Sequence, residues 1–342
     1  MISSQIADQN RTGTAIFPAD LDALRALALS ASGGEQASPL AAPYVSVLGA
    51  GVLKALTVAS DRTEIETGLA SLPCPVVGLA GHPSCDVVAS SDTEAAAILA
   101  NIERHPIAAT VLVQVLRVTP NLSLQDGLTL ESLAYATLQA GSEHKAWLSG
   151  QSRPAPRPAD TSDPIVVERD DTRLSLTLNR PDRRNALSVE LRDALCEALG
   201  LVLADDDIET VSISGAGRCF SIGGDLDEFG TAPDPATAHI VRSIRLPARL
   251  LSRCADRIEF RLHGACIGAG IELPAFGRRV VAARKTFFQL PELAFGLIPG
   301  AGGCVSIPRR IGRQRTAWLA LTGRRINAAT ALAWGLVDAL AA

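Results

Sequence analysis

The sequence has 342 residues, 47% apolar and 20% charged, the balance of a globular chain with room for two domains. A formal net charge of −4 gives no general attraction to nucleic acid or to an anionic membrane, and an aromatic content of 4% leaves few platforms for base stacking. A local basic patch for a small anionic ligand is compatible with both figures.

From the N-terminus, MISSQIADQNRTGTAIF lacks the basic, apolar and small-residue order of a signal peptide. The most apolar run, near residues 44–59, contains Lys54 and is too short to cross a bilayer. A cytoplasmic protein with no membrane partner is therefore expected. That run includes YVSVLGAGVLKAL (44–56), which has the GxG of a dinucleotide-binding turn. Lys54 stands where the third glycine belongs, and no acidic residue sits cleanly at a following strand end. A buried strand and turn is one reading, a nicotinamide site the other. From Thr93 to Trp147 the pattern turns helical in three stretches, TEAAAILANIERH, PIAATVLVQVLR and LESLAYATLQAGSEHKAW. Then SRPAPRPADTSDP (152–164) shows four prolines and no apolar periodicity, which predicts a semi-extended connector. It divides the chain into a mixed region, residues 1–151, helical from about 93, and a C-terminal core, residues 165–342.

In the C-terminal core, IVVER (165–169) and LSLTLN (174–179) read as a hairpin turning at Asp170-Asp171-Thr172. After the basic turn DRRN, Ser188 is placed to cap a helix through VELRDALCEALGLVLA. TVSISG (210–215) is a strand that runs into GAGRCFSIGGDLDEF, a helical stretch covers 235–255, and RIEFRLHG (257–264) and RVVAA (279–283) are further strands. Strands and helices in alternation predict an α/β fold.

Two segments carry the chemistry, SIGGDL and CIGAGIEL. In each, a strand is expected to end, glycines let the backbone approach a ligand, and a helix is expected to begin, with Pro274 tolerated in the first turn. The first N–H groups of a helix lack internal acceptors, so one donor from each turn makes a site for a developing negative oxygen, such as that of a thioester carbonyl becoming an enolate. Close helix–strand packing is the other reading of such glycines. Glu272, just after the second turn, can reach a reacting atom there. Glu292, in TFFQLPELAFG, is either a second carboxylate of the same dry pocket or a helix N-terminal residue after Pro291. Two carboxylates in such a pocket can hold one water between them, one ionised and one donating.

Residues 165–340 resemble the enoyl-CoA hydratase/isomerase, or crotonase, superfamily. The resemblance is carried in order by LTLNRPDRRNALS, SGAGRCFSIGGDLDEF, HGACIGAGIEL, FFQLPELAFGLIPGAGG, RRIG and LTGRRINAATALAWGLVDAL. It implies a spiral of repeated strand–strand–helix units. It also implies an oxyanion hole at the backbone N–H groups of Gly224 and Ala269, with Glu272 and Glu292 as the catalytic carboxylates. Alanine at 269 departs from the usual glycine but donates the same N–H. The pair of glutamates implies syn addition of water to a 2-enoyl-CoA or the reverse dehydration, Glu272 activating water towards C3 and Glu292 delivering a proton to C2. Arg183 and Arg184 of DRRN match the coenzyme A-contacting turn, with Ile222, Gly223, Asp225 and Gly268 beside it. The implied substrate is an acyl-CoA or acyl-carrier thioester, with no cofactor beyond the coenzyme A of the substrate, no nucleic-acid partner, and a homo-oligomer built on trimers. Isomerisation, retro-aldol cleavage, C–C hydrolysis and a non-catalytic acyl-CoA- or protein-binding role are the alternatives.

Members of that family continue past the segment matching GLVDAL with helices that close the acyl pocket, whereas this sequence carries helical signals ahead of the core. Residues 93–150 are therefore expected to supply the helical cover from the N-terminal side, as in a permuted arrangement. An independent helical domain with a partner-binding role is the rival. The remaining signals are plainer. Cys74, Cys85, Cys196, Cys219, Cys254, Cys266 and Cys304 form no CxxC pair and read as buried free thiols. His82, His105, His144, His239 and His263 show no metal-ligand spacing; His263 reads as a satisfied strand-end residue or a substrate contact. RRIGRQR (309–315) reads as a helix face at a subunit or solvent surface.

Overall fold

The computed structural model describes residues 15–30, 45–152 and 161–341. The expectations for the first residues and for most of the proline-rich connector lie outside the described residues. In the N-terminal region β1 (Ala15–Ile16), β2 (Val45–Leu48), β3 (Val76–Gly78) and β4 (Val87–Val88) form a parallel sheet in that order. Parallel neighbours require crossovers: α1 (Leu21–Ser30) follows β1, while α2 (Ala50–Thr57) and α3 (Arg62–Ser71) join β2 to β3. The two-residue alternation of strands then sends Leu48 and Val76 into a small apolar cluster with Leu24, Leu56 and Leu69. Val47 and Val77 point the other way, into the large cluster that fills the rest of the molecule. Residues 45–51 are thus a strand, buried at Ser46, Val47 and Leu48, that runs straight into α2, and a Cβ added to Gly49 or Gly51 would meet nothing within 4 Å.

Helices α4 (Asp92–Arg104), α5 (Pro106–Val118), α6 (Leu124–Gln139) and α7 (Ser142–Ser149) follow. Ser91 caps α4 by accepting from the Glu94 N–H, and Pro106 opens α5 where its missing N–H costs little. The helix expected to start at Leu130 starts earlier, at Leu124, because Ser123 accepts from the Asp126 N–H and sets the cap there. This places Leu128, Glu131, Ser132 and Leu138 on the buried face of one continuous helix.

In the C-terminal part β5 (Ile165–Asp170) and β6 (Arg173–Leu178) form the expected hairpin, with Asp171 at φ 53°. α8 (Val189–Ala204) is capped as expected by Ser188, whose hydroxyl accepts from the Leu191 N–H. β7 (Thr210–Gly215), β8 (Ile258–Leu262), β10 (Arg279–Ala282) and β13 (Ala339–Leu340) extend this hairpin into a six-stranded sheet ordered β13-β10-β8-β7-β6-β5. α9 (Pro235–Arg245) and α10 (Pro247–Cys254) cross between β7 and β8. A second, three-stranded sheet holds β9 (Ala265–Ile267), β11 (Phe287–Gln289) and β12 (Ile326–Asn327), ordered β12-β11-β9. Each turn of the chain adds one strand to the large sheet and one to the small. Ser221 makes the corresponding bridge to Cys266 one turn earlier.

Both turns expected to open helices open shorter ones. SIGGDL leads only to a single 3-10 turn, Leu226–Glu228, because Asp225 closes a local turn by accepting from the Asp227 N–H. CIGAGIEL gives α11 (Ala269–Glu272), a single α-helical turn. Pro274 does not ride in its first turn but ends it: proline has no N–H to continue the ladder, and a 3-10 turn, Pro274–Phe276, takes over. After the turn Glu292–Phe295, the chain enters α12 (Gly303–Ile311), α13 (Arg313–Thr322) and α14 (Ala328–Trp334).

The helices ahead of the connector are built into this core. Gly127 of α6 packs against the Val305 side chain, and the Thr119 hydroxyl donates to the Cys304 carbonyl at 2.8 Å. RRIGRQR is not an open face. Arg309 bonds the Thr119 and Leu122 carbonyls, Arg310 bonds the Ala275 and Gly277 carbonyls, and Arg313 pairs with Asp86. The seven cysteines are buried and unpaired, as expected. Among the described residues, no helix is long and apolar enough to cross a membrane.

Candidate active site

The two glycine turns touch. Gly223 has φ 90°, and a Cβ there would stand 2.7 Å from the Ile267 carbonyl oxygen; Gly268 has φ 51°, and a Cβ there would stand 3.7 Å from the Gly223 Cα. Only glycine tolerates both the dihedral and the approach. Asn185, fully buried in the DRRN turn, fixes the first turn from behind. Its amide donates to the carbonyls of Ala216, Cys219 and Phe220, and its own carbonyl accepts from the Ser221 hydroxyl at 2.7 Å. The Ser221 oxygen in turn accepts from the Gly223 N–H at 3.1 Å. Among the described residues, the N–H groups of Gly224 and Ala269 have no hydrogen-bond acceptor.

Glu272 and Glu292 meet beside these donors. A Cβ on Gly268 would lie 2.6 Å from Glu292 Oε1 and 3.8 Å from Glu272 Oε1, so both oxygens look onto the same backbone position. The other Glu272 oxygen accepts from the N–H groups of Ala301 at 2.7 Å and Gly303 at 2.9 Å, which fixes the carboxylate while leaving Oε1 for a reactant. Glu292 is half-buried, opens the turn after Pro291, and has its Oε2 shut from solvent with no partner. Both readings of that residue therefore hold at once.

A third carboxylate was not singled out by the sequence. Glu131, 1% exposed in the middle of α6, accepts from the Gly302 N–H at 2.7 Å and the Cys304 N–H at 2.8 Å. Glu272 and Glu131 thus grip four successive N–H groups, 301 to 304, in alternation at the start of α12. A signal existed: Leu128, Glu131, Ser132 and Tyr135 recur at three- and four-residue steps, which puts a carboxylate on an apolar helix face.

Burial dominates the electrostatics. It pushes Glu272 up to about 7 against the opposing pull of three backbone N–H groups, those of Ala301, Gly303 and Gly300. Burial, reinforced by the negative charge of Glu272 and then of Glu131, holds Glu292 well above the usual carboxylate range. Glu131 is raised for the same reasons, burial first and Glu272 second. At neutral pH the cluster cannot carry three full charges.

Two cavities meet at Gly224 and Glu292. One, about 460 Å³, is lined by Glu272, Ala269 and Ala301 and by Tyr135 and Gln139 of α6 and Arg242 of α9. The other, about 720 Å³, is lined by Arg183, Arg184, Ile222, Gly223, Asp225 and Gly268, the residues the sequence grouped on the coenzyme A side. Arg183 is already paired with Asp225 at 2.5 Å. His263 lies apart, its Nε2 3.0 Å from the Gly217 carbonyl oxygen, as a satisfied strand-end residue.

The family model for enoyl-CoA hydratase/isomerase matches residues 168–342, half of the chain. The chain belongs to this family. The 1,2-epoxyphenylacetyl-CoA isomerase of Escherichia coli (strain K12) is 37% identical over 169 residues, 48% of this chain and 64% of that one. The 2,3-dehydroadipyl-CoA hydratase of the same organism is 36% identical over 174 residues, 51% of this chain and 68% of that one. A crystal structure of an enoyl-CoA hydratase from Mycobacterium smegmatis aligns with a TM-score of 0.50 at 29% identity, over 53% of this chain and 71% of that one. The matched part of this crotonase-family chain thus spans about two thirds of the length of these relatives.

Proposed function

We propose that this protein hydrates a 2-enoyl-CoA or acyl-carrier thioester, or runs the reverse dehydration, by stabilising an enolate. The observation that carries the reading is the convergence of Glu272 Oε1 and Glu292 Oε1 on Gly268, beside the two unengaged N–H groups of Gly224 and Ala269. The thioester oxygen accepts from those two N–H groups, and removing one such donor typically costs roughly 3–4 kcal/mol of barrier. Glu272, the carboxylate that ionises near neutrality, takes a proton from water attacking C3. Glu292, held protonated, delivers a proton to C2. No resident cofactor enters these steps; coenzyme A arrives with the substrate, its phosphates and adenine on the side of Arg183 and Arg184. Residues 93–150 act as the cover of the acyl pocket, and the 152–164 segment joins this cover to the core. The same reading carries a cytoplasmic homo-oligomer built on trimers.

Isomerisation is the second reading, favoured by relatives of nearly equal identity that bear isomerase and hydratase names. It needs one carboxylate to move a proton, whereas two stand here.

The test is the ultraviolet band of the conjugated enoyl thioester after adding the enzyme to crotonyl-CoA, cinnamoyl-CoA and a longer 2-enoyl-CoA. Loss of the band, slowed at least about a hundredfold in Glu272→Gln and in Glu292→Gln, supports hydration. The kcat/KM profile should rise through an apparent pKa of about 7 as Glu272 ionises, then fall at higher pH as Glu292 loses its proton. A flat trace with bound thioester rejects hydration in favour of the other enolate reactions or a silent binding protein.

A further inference from the structure

Proton transfer at Glu272 and Glu292 makes no use of three donor-bearing side chains that line the smaller cavity: Tyr135, Gln139 and Arg242. Arg242 is held in place by its neighbours on α6. Its Nε donates to the Ser132 hydroxyl at 3.0 Å, Nη1 to Gln139 Oε1 at 3.2 Å and Nη2 to the Ser132 carbonyl at 3.3 Å. Its guanidinium carbon lies 4.7 Å from the centre of the Tyr135 ring. These contacts use three of the five guanidinium N–H donors and supply no negative charge.

Among the described residues, no carboxylate lies within 4.0 Å of Arg242. Two other arginines around the site differ: Arg192 is paired with Asp193 at 2.8 Å, and Arg183 with Asp225. The Tyr135 hydroxyl likewise has no hydrogen-bond partner among the described residues. Its ring packs against Gly300, on the loop that also carries Ala301 and Gly303, which fixes it in the cavity lining. Glu131 acts on this half-buried guanidinium only from beyond 4.0 Å, so two of its N–H donors are left for an anion entering the cavity. The planar fork of arginine fits a carboxylate better than any other anion a carbon chain commonly bears, apart from phosphate.

We propose that the acyl cavity receives an acyl group whose far end carries a carboxylate, bound by Arg242 with the Tyr135 hydroxyl as a second donor. The substrate class is then an ω-carboxy thioester. This inference rests on the reading of the site as a thioester site, but not on which enolate reaction follows. A role for Arg242 as a mere staple between α9 and α6 accounts for its bonds to Ser132 and Gln139; it does not account for the guanidinium N–H donors left over on the lining of a cavity.

The experiment compares binding of saturated, unreactive thioesters of matched chain length to the full chain by calorimetry: succinyl-, glutaryl-, adipyl- and suberyl-CoA against butyryl-, valeryl-, hexanoyl- and octanoyl-CoA. At one or more lengths the carboxylate member should bind roughly tenfold tighter or more. Arg242→Met should collapse that ratio towards one, Arg242→Lys should keep part of it, and Tyr135→Phe should lower it by a smaller factor. Circular dichroism and the affinity for free coenzyme A check that each variant is folded. A ratio near one at every length in the wild type overturns the proposal. So does a ratio that Arg242→Met leaves intact. Failure of every thioester and of coenzyme A itself to bind rejects the thioester reading, and this inference with it. Binding without hydration of the corresponding enoyl thioesters rejects only the hydratase assignment.

Discussion

Residues 15–90 and residues 92–149 both precede the connector, yet the two stretches are held by different forces. The first has its own apolar cluster on one face of its sheet, around Leu24, Leu48, Leu56 and Leu69. It meets the rest of the molecule through the other face and through Asp86, which accepts from Arg117 and Arg313. The second has no such private core. Ile98, Ile102, Leu112, Leu116 and Leu128 are buried in the same cluster as Phe260, Phe288 and Leu319 of the C-terminal part. It also reaches into the candidate site, with Glu131 on the 301–304 loop and Tyr135 and Gln139 on the cavity wall. A segment that shares a core and the candidate site belongs with them wherever it stands in the chain; a segment with its own core on one face is joined to them by its other face, through Val47, Val77 and Val87, and by polar ties.

The sharpest way to break that comparison is to remove residues 1–160. The five apolar side chains named above contribute on the order of 2 kcal/mol each through burial, and together they rival the whole stability of a typical domain. The remainder should be insoluble or aggregated on size-exclusion chromatography and inactive. A monodisperse, active remainder would show that residues 92–149 do not belong with the core and the site.

A smaller blow separates the shared site from the shared core. Glu131→Gln puts an amide NH2 against one of the two N–H groups the carboxylate now accepts, and should lower stability by roughly 2–4 kcal/mol in urea titration. Activity should fall with it, since the loop that Glu131 holds also supplies the Ala301 and Gly303 donors to Glu272. The charge of Glu272 helps to raise Glu131, whereas Glu272 itself is raised by burial, so the acid limb of kcat/KM should stay near 7 in Glu131→Gln while the loop keeps its place. A limb that moves would show that Glu131 also sets the ionisation of Glu272.

The same physics decided what could be read from the sequence. The two glycine turns and the two candidate glutamates were legible because close backbone approach demands glycine and because the resemblance places a carboxylate at each of positions 272 and 292. The six residues that the resemblance implies for coenzyme A contact all line one cavity. The lengths of the helices after the turns were misjudged, since Asp225 and Pro274 end them by local bonds that apolar periodicity does not register. Glu131 was passed over because it is separated from Glu272 by the connector and most of the core, and its purpose appears only when α6 meets α12. Arg309, Arg310 and Arg313 look like a solvated face in sequence. They are staples because their carbonyl and carboxylate partners come from distant segments.

The gentlest test falls on the fastening of residues 15–90. Asp86 Oδ2 accepts from the Val76 N–H at 2.8 Å and Arg117 Nη2 at 2.6 Å, while Oδ1 accepts from Arg117 Nε and Arg313 Nη1, each at 2.9 Å. Neither orientation of an asparagine amide satisfies four donors, so Asp86→Asn leaves an N–H facing an N–H whichever way it flips. Arg117 keeps its bonds to the Leu72 and Cys74 carbonyls, and Arg313 keeps its bond to the Pro83 carbonyl, which limits the loss. We expect roughly 1–3 kcal/mol of destabilisation. It should show first as faster amide exchange in β3 and β4, with kcat and KM within about twofold of wild type because no site residue touches this network. If Asp86→Asn instead lowers kcat as Glu131→Gln does, residues 15–90 are coupled to the site, and the contrast between the two stretches is one of degree only.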